Sequence, residues 1–235
     1  LPDGKLLLGG GGYDIGCNCY HISLAKMDTL CGKPDATFGN SGNVAQILWG
    51  RSTLSDMAVL PDGRILACGQ VAPDNSWSQH VCGIYRFNAD GTPDNTFDGD
   101  GWRGIRFDPI SSGAFLSVIP LEDGRFYAVG VSGSNINGGA AGAGVMRFLE
   151  DGSLDPTWSG DGILWTPGAL RTSDAVMLPD SSVVWIGHDA NADFSALLIR
   201  FGPDGTITSV PTGLATLNDG NHRHRTRSLP DGRFL

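Results

Sequence analysis

One short phrase recurs along this chain at nearly constant spacing, and it limits the fold more than any other feature. Leu60-Pro61-Asp62-Gly63-Arg64 has counterparts that begin at Leu1, Leu121, Leu178 and Leu229, so the leading leucines are 59, 61, 57 and 51 residues apart. Self-similarity at such a period is the signature of a repeat architecture. The chain is therefore predicted to contain about four copies of one supersecondary unit, followed by the start of another.

A second phrase follows the first at a nearly constant distance along the chain. The segment Arg86–Phe97 matches Arg147–Trp158, with an Asp-Gly pair followed by Asp, Thr and an aromatic residue. Lys26–Phe38 and Arg200–Val210 are looser copies. Because two phrases recur at a fixed distance from each other, a chance resemblance between the units is very improbable.

Each unit contains four short runs of strand-forming residues bounded by Gly, Pro, Asp or Asn. Between the first two runs of the second unit, Pro61-Asp62-Gly63 predicts a tight hairpin, because Pro presets one φ, Asp bonds nearby backbone and Gly tolerates positive φ. No window has a sustained helical period, so helices should be few. The runs of the second unit are Asp56–Leu60, Arg64–Gly69, Cys82–Phe87 and Trp102–Phe107.

Four antiparallel strands per repeat predict an all-β fold, a β-propeller built of tandem four-stranded blades. A β-sandwich has no reason to repeat its sequence, and a coil of a parallel β-helix is usually shorter and lacks such a hairpin. Because the chain begins and ends inside the recurring phrase, we expect a fragment of a larger propeller with exposed edges. The expected blades are 1–50, 51–112, 113–169 and 170–218, with the start of a further blade at 219–235.

The net charge of the chain and the lengths of its apolar runs limit the partners that can be expected. The net charge is −9 at pH 7, and such a field repels phosphate backbones and anionic lipid headgroups. We therefore expect no nucleic-acid partner. No run approaches the length of a membrane-spanning segment, so no transmembrane segment is predicted.

Both phrases resemble the delta-60 repeat family, a bacterial repeat of predicted β-propellers. The resemblance covers nearly the whole chain and is best over Leu60–Phe97; the fourth unit departs from it at Ser181 and at Thr206-Ile207-Thr208. It implies an extracellular or cell-surface protein with no established enzymatic activity. A fold analogy of this kind does not assign a function.

Aspartates are dense in the turn after the third strand of the second and third units. Clustered carboxylates suit Ca²⁺, although their spacing matches no EF-hand loop. We favour the simpler interpretation that they form Asx-turns. The calcium candidates are Asp94, Asp98, Asp100, Asp155 and Asp161.

A cation recurs at one position of the third strand, next to an apolar residue in every copy. Such regularity favours a structural partner, an Asp of a neighbouring turn. The alternative is a ring of cations that binds an anionic ligand in a central channel. The residues are Lys26, Arg86, Arg147 and Arg200.

The cysteines suggest one disulfide. Cys68 ends a predicted strand and Cys82 begins the next, so an antiparallel hairpin brings them together, in agreement with an oxidising compartment. Cys17, Cys19 and Cys31 cannot all pair with one another. We do not pair Cys19 with Cys31, because a predicted strand separates them.

Cys17, Cys19 and His21 alternate, so an extended segment would project all three from one face toward a soft metal such as zinc. The usual Cys-x-x-Cys spacing and a fourth ligand are absent. A loop or a disulfide is the favoured interpretation.

The leading functional hypothesis is a non-catalytic module that binds protein or glycan through irregular loops such as Ala72–Gln79 and Gly133–Gly142, in adhesion or as a scaffold. No nucleophile elbow, Walker loop or His-Glu-x-x-His motif occurs, and no catalytic residue is predicted. The alternatives are a polysaccharide hydrolase or lyase with channel carboxylates, and a structural subunit that self-assembles through open strand edges.

Overall fold

The computed structural model describes residues 1, 3–15, 19–46, 51–72, 80–107, 112–135, 139–168, 170–189 and 195–215. This part of the chain is built of strands and turns and contains no helix that could cross a membrane. The strands in chain order are β1 Lys5–Asp14, β2 Cys19–Asp28, β3 Asn43–Gln46, β4 Arg51–Val59, β5 Ile65–Ala72, β6 Val81–Phe87, β7 Trp102–Ile105, β8 Ser112–Pro120, β9 Phe126–Asn135, β10 Gly139–Phe148, β11 Ile163–Pro167, β12 Leu170–Met177, β13 Val183–Asp189, β14 Ser195–Phe201 and β15 Ile207–Ala215.

The strands form four antiparallel sheets in tandem, in which every strand pairs with its neighbour in sequence. Sheet 1 contains β1–β3, sheet 2 β4–β7, sheet 3 β8–β11 and sheet 4 β12–β15. The predicted succession of four-stranded antiparallel units is confirmed for sheets 2 to 4, and sheet 1 has three strands among the described residues. Residues 219–235, predicted to begin a further blade, lie outside the described residues.

The first strand of sheet 2 differs most from its prediction. It begins at Arg51 rather than at Asp56, because β4 is bulged between Leu54 and Asp56. A bulge adds one residue and breaks the alternation of apolar and polar side chains from which a strand is predicted. The same bulge occurs in β8, between Phe115 and Ser117, and in β12, between Thr172 and Asp174.

The chain divides into two compact units, Leu1–Ile105 with sheets 1 and 2, and Arg106–Leu235 with sheets 3 and 4. In the first unit the facing sides of the two sheets form one apolar core. Three of its eight buried members, Phe38, Tyr85 and Phe87, are aromatic, and each aromatic side chain buries a large area. Its buried members are Ile22, Leu24, Phe38, Val44, Ile65, Ala67, Tyr85 and Phe87.

The core of the second unit is built from the corresponding positions. Side chains of β9 and β10 face those of β12, β13 and β14, and Trp158 from the loop after β10 closes the cluster. Trp185, the largest fully buried side chain, lies at the repeat position that Ala67 occupies in sheet 2. The members are Tyr127, Val129, Ala143, Val145, Trp158, Ala175, Val183, Trp185, Ile199 and Phe201.

Antiparallel order gives each sheet two different ends. The connection between the first two strands and that between the last two lie at one end, which we call the motif end because it carries both recurring phrases. The connection between the second and third strands lies at the other end, which we call the variable end. In sheet 1 the strands β1, β2 and β3 correspond to the second, third and fourth strands of the other sheets, so the β1–β2 connection lies at the variable end and the loop between β2 and β3 at the motif end.

Candidate functional site

The hairpin of the motif end is the same turn in every sheet. In sheet 2, Gly63 donates its N–H to the Leu60 carbonyl over 2.9 Å, and Asp62 Oδ1 accepts the Arg64 N–H over 3.0 Å. Gly63 has a φ of +88°, which glycine adopts without strain. Ser181 holds a φ of +65° at this position in sheet 4 and keeps the bond to Leu178, so the departure from the repeat leaves the turn intact.

The loop after the third strand is organised by one buried carboxylate. Asp94 Oδ2 accepts the Arg86 Nε–H over 2.6 Å, and Arg64 Nη1 lies 3.4 Å from the same oxygen. Asp94 Oδ1 accepts the Thr96 hydroxyl and amide over 2.6 and 3.0 Å. The guanidinium of Arg86 also lies 4.9 Å from the centre of the Phe97 ring. We call this group the carboxylate cluster of sheet 2.

The geometry of this cluster explains the lowered pKa of Asp94. Burial raises the pKa of Asp94, but the hydrogen bonds from Thr96 and the positive charge of Arg86 outweigh burial and lower that pKa to about 2. Both side chains of the ion pair are about 95 % buried, being 3 % and 5 % exposed. Such a buried ion pair connects parts of the structure and is not accessible to a ligand.

Sheets 1 and 3 repeat the carboxylate cluster. Arg147 Nε lies 2.8 Å from Asp155 Oδ2, which accepts Arg125 Nη1–H over 3.2 Å, and Asp155 Oδ1 accepts the Thr157 hydroxyl. In sheet 1 both cations are lysines: the Nζ atoms of Lys5 and Lys26 lie 2.7 and 3.7 Å from Asp35 Oδ2. Lys26 also pairs with Asp3 over 3.1 Å.

Sheet 4 departs from this pattern. Its loop after the third strand has five residues, 202–206, whereas the corresponding loops of the other three sheets have fourteen. The central aspartate is absent from the shorter loop, and Arg200 pairs instead with Asp180 of its own hairpin and donates to the Ser182 hydroxyl over 3.0 Å. Each of the four recurring cations thus contacts an aspartate of its own sheet.

The sequence analysis did not identify the second cation of each carboxylate cluster. Lys5, Arg64 and Arg125 occupy the residue after the hairpin glycine, and their recurrence was visible in the sequence. Only the fold shows that the hairpin lies beside the loop that carries the aspartate. Ser182 replaces this cation in sheet 4, where the aspartate is also missing.

The calcium candidates are held by protein groups. Asp94 and Asp155 are the centres of their clusters, Asp98 Oδ1 accepts Arg103 Nη1–H over 2.8 Å, and Asp100 and Asp161 accept the amides of Trp102 and Ile163. Among the residues that the structure describes, no group of three or more His, Cys, Asp or Glu side chains is placed to hold a metal.

The soft-metal candidates fall partly outside the described chain. Cys17 lies outside the described residues, and Cys19 begins β2 with its backbone opposite Asp14. The His21 ring packs against Gly12, where an added Cβ would lie 2.5 Å from Nε2. Its Nδ1 atom is buried without a hydrogen-bond partner.

The structure does not show the predicted disulfide between Cys68 and Cys82, which stays a prediction. Cys68 lies opposite Ile84 and Cys82 opposite Gln70, so the two cysteines are diagonal neighbours instead of a directly opposed pair. No disulfide joins them in the structure, and both are buried thiols. Burial raises the pKa of the Cys68 thiol, with Asp56 adding to the effect. Cys31 is an exposed thiol.

A cleft of about 240 Å³ opens between sheets 1 and 2 at the motif end. Its floor is apolar, formed mainly by Leu7, Phe38 and Ile65. The charged groups that line it, Asp3 and Lys26, pair with each other over 3.1 Å. The cleft therefore offers little polar selectivity.

The variable end differs from sheet to sheet. The connections between second and third strands have 4, 8, 3 and 5 residues in sheets 1 to 4, whereas the hairpins of sheets 2 to 4 all have five. In sheet 1 this end carries Tyr13 and Tyr20, whose ring centres are 5.0 Å apart and whose planes are tilted by 58°. Tyr13 and Ile15 are 48 % and 86 % exposed. Of the expected recognition loops, residues 73–79 and 136–138 lie outside the described residues.

Comparisons with known proteins agree with this architecture. A family model described as "Domain of unknown function (DUF5122) beta-propeller" matches residues 60–97 and 121–157, which contain the hairpins and loops of sheets 2 and 3. A solved structure, described as an unknown function protein from Dyadobacter fermentans DSM 18053, is similar with a TM-score of 0.56 and 14 % identity. The match covers 99 % of this chain and 71 % of that one.

No curated protein matches the sequence. At 14 % identity the solved structure shows the fold alone. Together, the family match, the structural similarity and the tandem antiparallel sheets identify an all-β fold of the β-propeller class.

Proposed function

We propose that this chain is a binding module of a secreted or cell-surface protein, without catalytic activity, that recognises a protein or a glycan through its variable end. The observation that carries the proposal is the contrast between the two ends. At the motif end the hairpins of sheets 2 to 4 have one length, the loop after the third strand has one length in sheets 1 to 3, and their charges pair within the sheet, whereas connections at the variable end differ in length in all four sheets. Recognition typically resides in varied loops on a regular scaffold.

The exposed aromatic residues of sheet 1 support the same conclusion. Tyr13 and Tyr20 form a tilted pair at the variable end, and Tyr13 presents about half of its surface to solvent. An exposed tyrosine supplies an apolar face together with a hydroxyl, and this combination suits protein and glycan surfaces. The proposed location outside the cell, and the assignment of the repeat to the delta-60 type, rest on the resemblance of the two recurring phrases.

An array of immobilised microbial and plant polysaccharides, with extracellular-matrix proteins on the same surface, tests the binding role. The expected result is saturable binding to at least one spot that Tyr13→Ala weakens about tenfold, or about 1.4 kcal/mol. The matched control is Leu30→Ala, which removes a 96 % exposed apolar side chain from the motif end and should leave binding unchanged.

Two outcomes contradict the proposal. Binding that Leu30→Ala abolishes and Tyr13→Ala leaves intact would place recognition at the motif end. Release of new reducing ends from a bound polysaccharide would show that the module is an enzyme and favour the hydrolase or lyase hypothesis.

A further inference from the structure

Asp-Gly pairs recur in the turns of the motif end, and each is a place where the main chain can rearrange. The glycine nitrogen can attack the side-chain carboxyl group of the aspartate, since glycine has no side chain to hinder the approach. Attack requires that neither group is engaged in a competing hydrogen bond. Nine such pairs lie in the described part of the chain: Asp3-Gly4, Asp62-Gly63, Asp90-Gly91, Asp98-Gly99, Asp100-Gly101, Asp123-Gly124, Asp151-Gly152, Asp161-Gly162 and Asp204-Gly205.

Eight of these nine pairs are held by two hydrogen bonds. In each of the eight the glycine N–H donates to a main-chain carbonyl over 2.8 to 3.3 Å, as Gly63 does to Leu60. In each, the aspartate Oδ1 atom also accepts the amide two residues later over 2.9 to 3.3 Å, as Asp62 does from Arg64. Both reacting groups are therefore occupied, and rearrangement at these pairs must first open the turn.

Asp98-Gly99, in the loop after β6, lacks both of these bonds. The Gly99 amide has no hydrogen-bond partner in the described part of the chain, and Asp98 Oδ1 accepts a side-chain donor, Arg103 Nη1–H, over 2.8 Å. The side chains of that ion pair are 38 % and 28 % exposed, and exposed pairs contribute little. A Cβ added to Gly99 would meet no atom within 4 Å, so the space around its nitrogen is open.

The backbone of Asp98 is also in an unfavourable conformation. Its φ is +49°, in the left-handed region that a residue with a side chain adopts at an energetic cost. Sheet 3 has the same geometry at this repeat position, where Ser159 has a φ of +53° and a Cβ added to the following Gly160 would also meet no atom within 4 Å. Serine has no carboxyl group, so the loop of sheet 3 offers the geometry without the reacting group.

We propose that Asp98-Gly99 is a modification site at which isoaspartate forms spontaneously. The Gly99 nitrogen bonds to Asp98 Cγ, and the carboxyl hydroxyl leaves with the amide proton as water, which gives a cyclic succinimide. Water then adds to the main-chain carbonyl carbon of Asp98, and the bond from that carbon to the Gly99 nitrogen breaks. The product has the mass of the parent, a main chain that runs through Cγ and a free α-carboxylate. The added main-chain bond releases the constraint on φ. The modification does not depend on the proposed function.

Incubation of the 235-residue chain for several weeks at physiological temperature and mildly acidic pH, followed by proteolysis, tests the proposal. Isoaspartyl peptides separate on chromatography, and electron-transfer fragmentation at the Cα–Cβ bond identifies the modified residue. Isoaspartate at Asp98 should accumulate at least about tenfold faster than at the eight bonded pairs, because each of those must break two hydrogen bonds before it reacts. Each site is read separately, so the pairs outside the described residues do not affect the comparison; these are Asn137-Gly138, Asp219-Gly220 and Asp231-Gly232.

The repeat itself supplies matched variants. Asp98→Ser copies Ser159 of sheet 3 and should abolish the modified peptide, whereas Asp100→Ser copies Ser41 at the same repeat position of sheet 1 and should leave accumulation at position 98 unchanged. Arg103→Gln removes the side-chain donor from Asp98 and should speed the reaction about two- to fivefold, the effect expected of an exposed ion pair.

A parallel incubation in denaturant separates the effect of the fold from that of the local sequence. Once the turns are lost, the pairs at Asp62 and Asp123 should react at rates similar to that at Asp98. The proposal is overturned if Asp98 in the native chain reacts no faster than Asp62 or Asp123. It is equally overturned if Asp98 keeps its lead in denaturant, because the described hydrogen bonds would then not determine the rate.

Discussion

The carboxylate of Asp94 connects three segments that are distant in sequence. Its two oxygens receive Arg86 from the third strand, Arg64 from the hairpin and Thr96 from its own loop. An aspartate that receives several donors while buried is held in its ionised form. Asp155 has the same surroundings in sheet 3, where the Thr157 hydroxyl and amide, Arg125 and Arg147 lower its pKa against the opposing effect of burial.

This arrangement predicts a loss of stability in acid. Because the pKa of Asp94 is lowered from 3.8 to about 2, its contribution is present above pH 3.8 and is lost as the pH falls toward 2. Asp94→Asn should reduce the free energy of unfolding at pH 7 by about 2 kcal/mol, and the difference from the parent should shrink as the pH falls toward 2. Denaturant unfolding at a series of pH values measures both effects.

Asp90→Asn is the control for that experiment. Asp90 makes the same bonds to the amide and hydroxyl of Thr92, over 2.9 and 2.7 Å, but lies exposed in an outer turn. Its replacement should cost less than about 1 kcal/mol. Equal losses for the two variants would show that the turn, and not the buried ion pair, supplies the stability.

The cysteines should differ strongly in reactivity. Cys31 is exposed, whereas Cys68 and Cys82 are fully buried and burial raises the pKa of Cys68. Because the thiolate is the reactive form, iodoacetamide should modify Cys31 in the native chain and spare Cys68 and Cys82 until denaturant is added. Peptide mapping by mass spectrometry reads each site separately. A Cys68–Cys82 disulfide found in non-reduced digests of the native chain would contradict the structure.

These residues show how far single positions can be predicted. The cations were assigned an aspartate partner from their periodicity alone, and the structure places an aspartate beside each of them. The sequence predicts that the strands of Cys68 and Cys82 are adjacent but not their register, and in the structure the two cysteines are diagonal neighbours with a shift of two residues.

Among the secondary-structure elements, the loop after the third strand separates sheet 4 from the rest. Fourteen residues in sheets 1 to 3 leave room for the Asp-x-Thr-aromatic segment, and five in sheet 4 do not. Arg200 consequently turns to the hairpin and is 48 % exposed, whereas Arg86 is 3 % exposed. Exposed ion pairs contribute little, so sheet 4 has lost most of the stabilisation that its counterparts draw from this position.

Equivalent strand positions should respond differently to the same truncation. Ile65→Ala empties a site in the core of the first unit and should cost about 2 to 4 kcal/mol, whereas Leu6→Ala removes a half-exposed side chain and should cost less than about 1 kcal/mol. Denaturant midpoints of the two variants provide the comparison. A loss at Leu6 as large as that at Ile65 would mean that Leu6 is covered in the chain in solution.

At the scale of the whole molecule, the repeated sheets could be predicted and the proposed recognition surface could not. The recurring hairpin and its companion loop specify where strands begin and end, because turn chemistry requires particular residues. The connections at the variable end do not repeat, and a segment that occurs once provides no internal comparison. Tyr13 and Tyr20 therefore emerged only from the pairing of β1 with β2.

The overall charge predicts a simple chromatographic result. With a formal charge of −9 at pH 7, the chain should pass through immobilised heparin and duplex DNA at about 0.15 M salt without retention. A basic protein of similar mass, run on the same columns, serves as the positive control. Retention that increasing salt releases would contradict the prediction and direct attention to the basic segment His222–Arg225.

The carboxylate clusters also bear on how such a protein can change over generations. Asp35, Asp94 and Asp155 each take their cations and their threonine from the sheet to which they belong. A duplicated gene segment that encodes one sheet thus brings along its complete set of ionic partners. Copies can be gained, or can diverge from one another, without compensating substitutions in the ionic partners of the others.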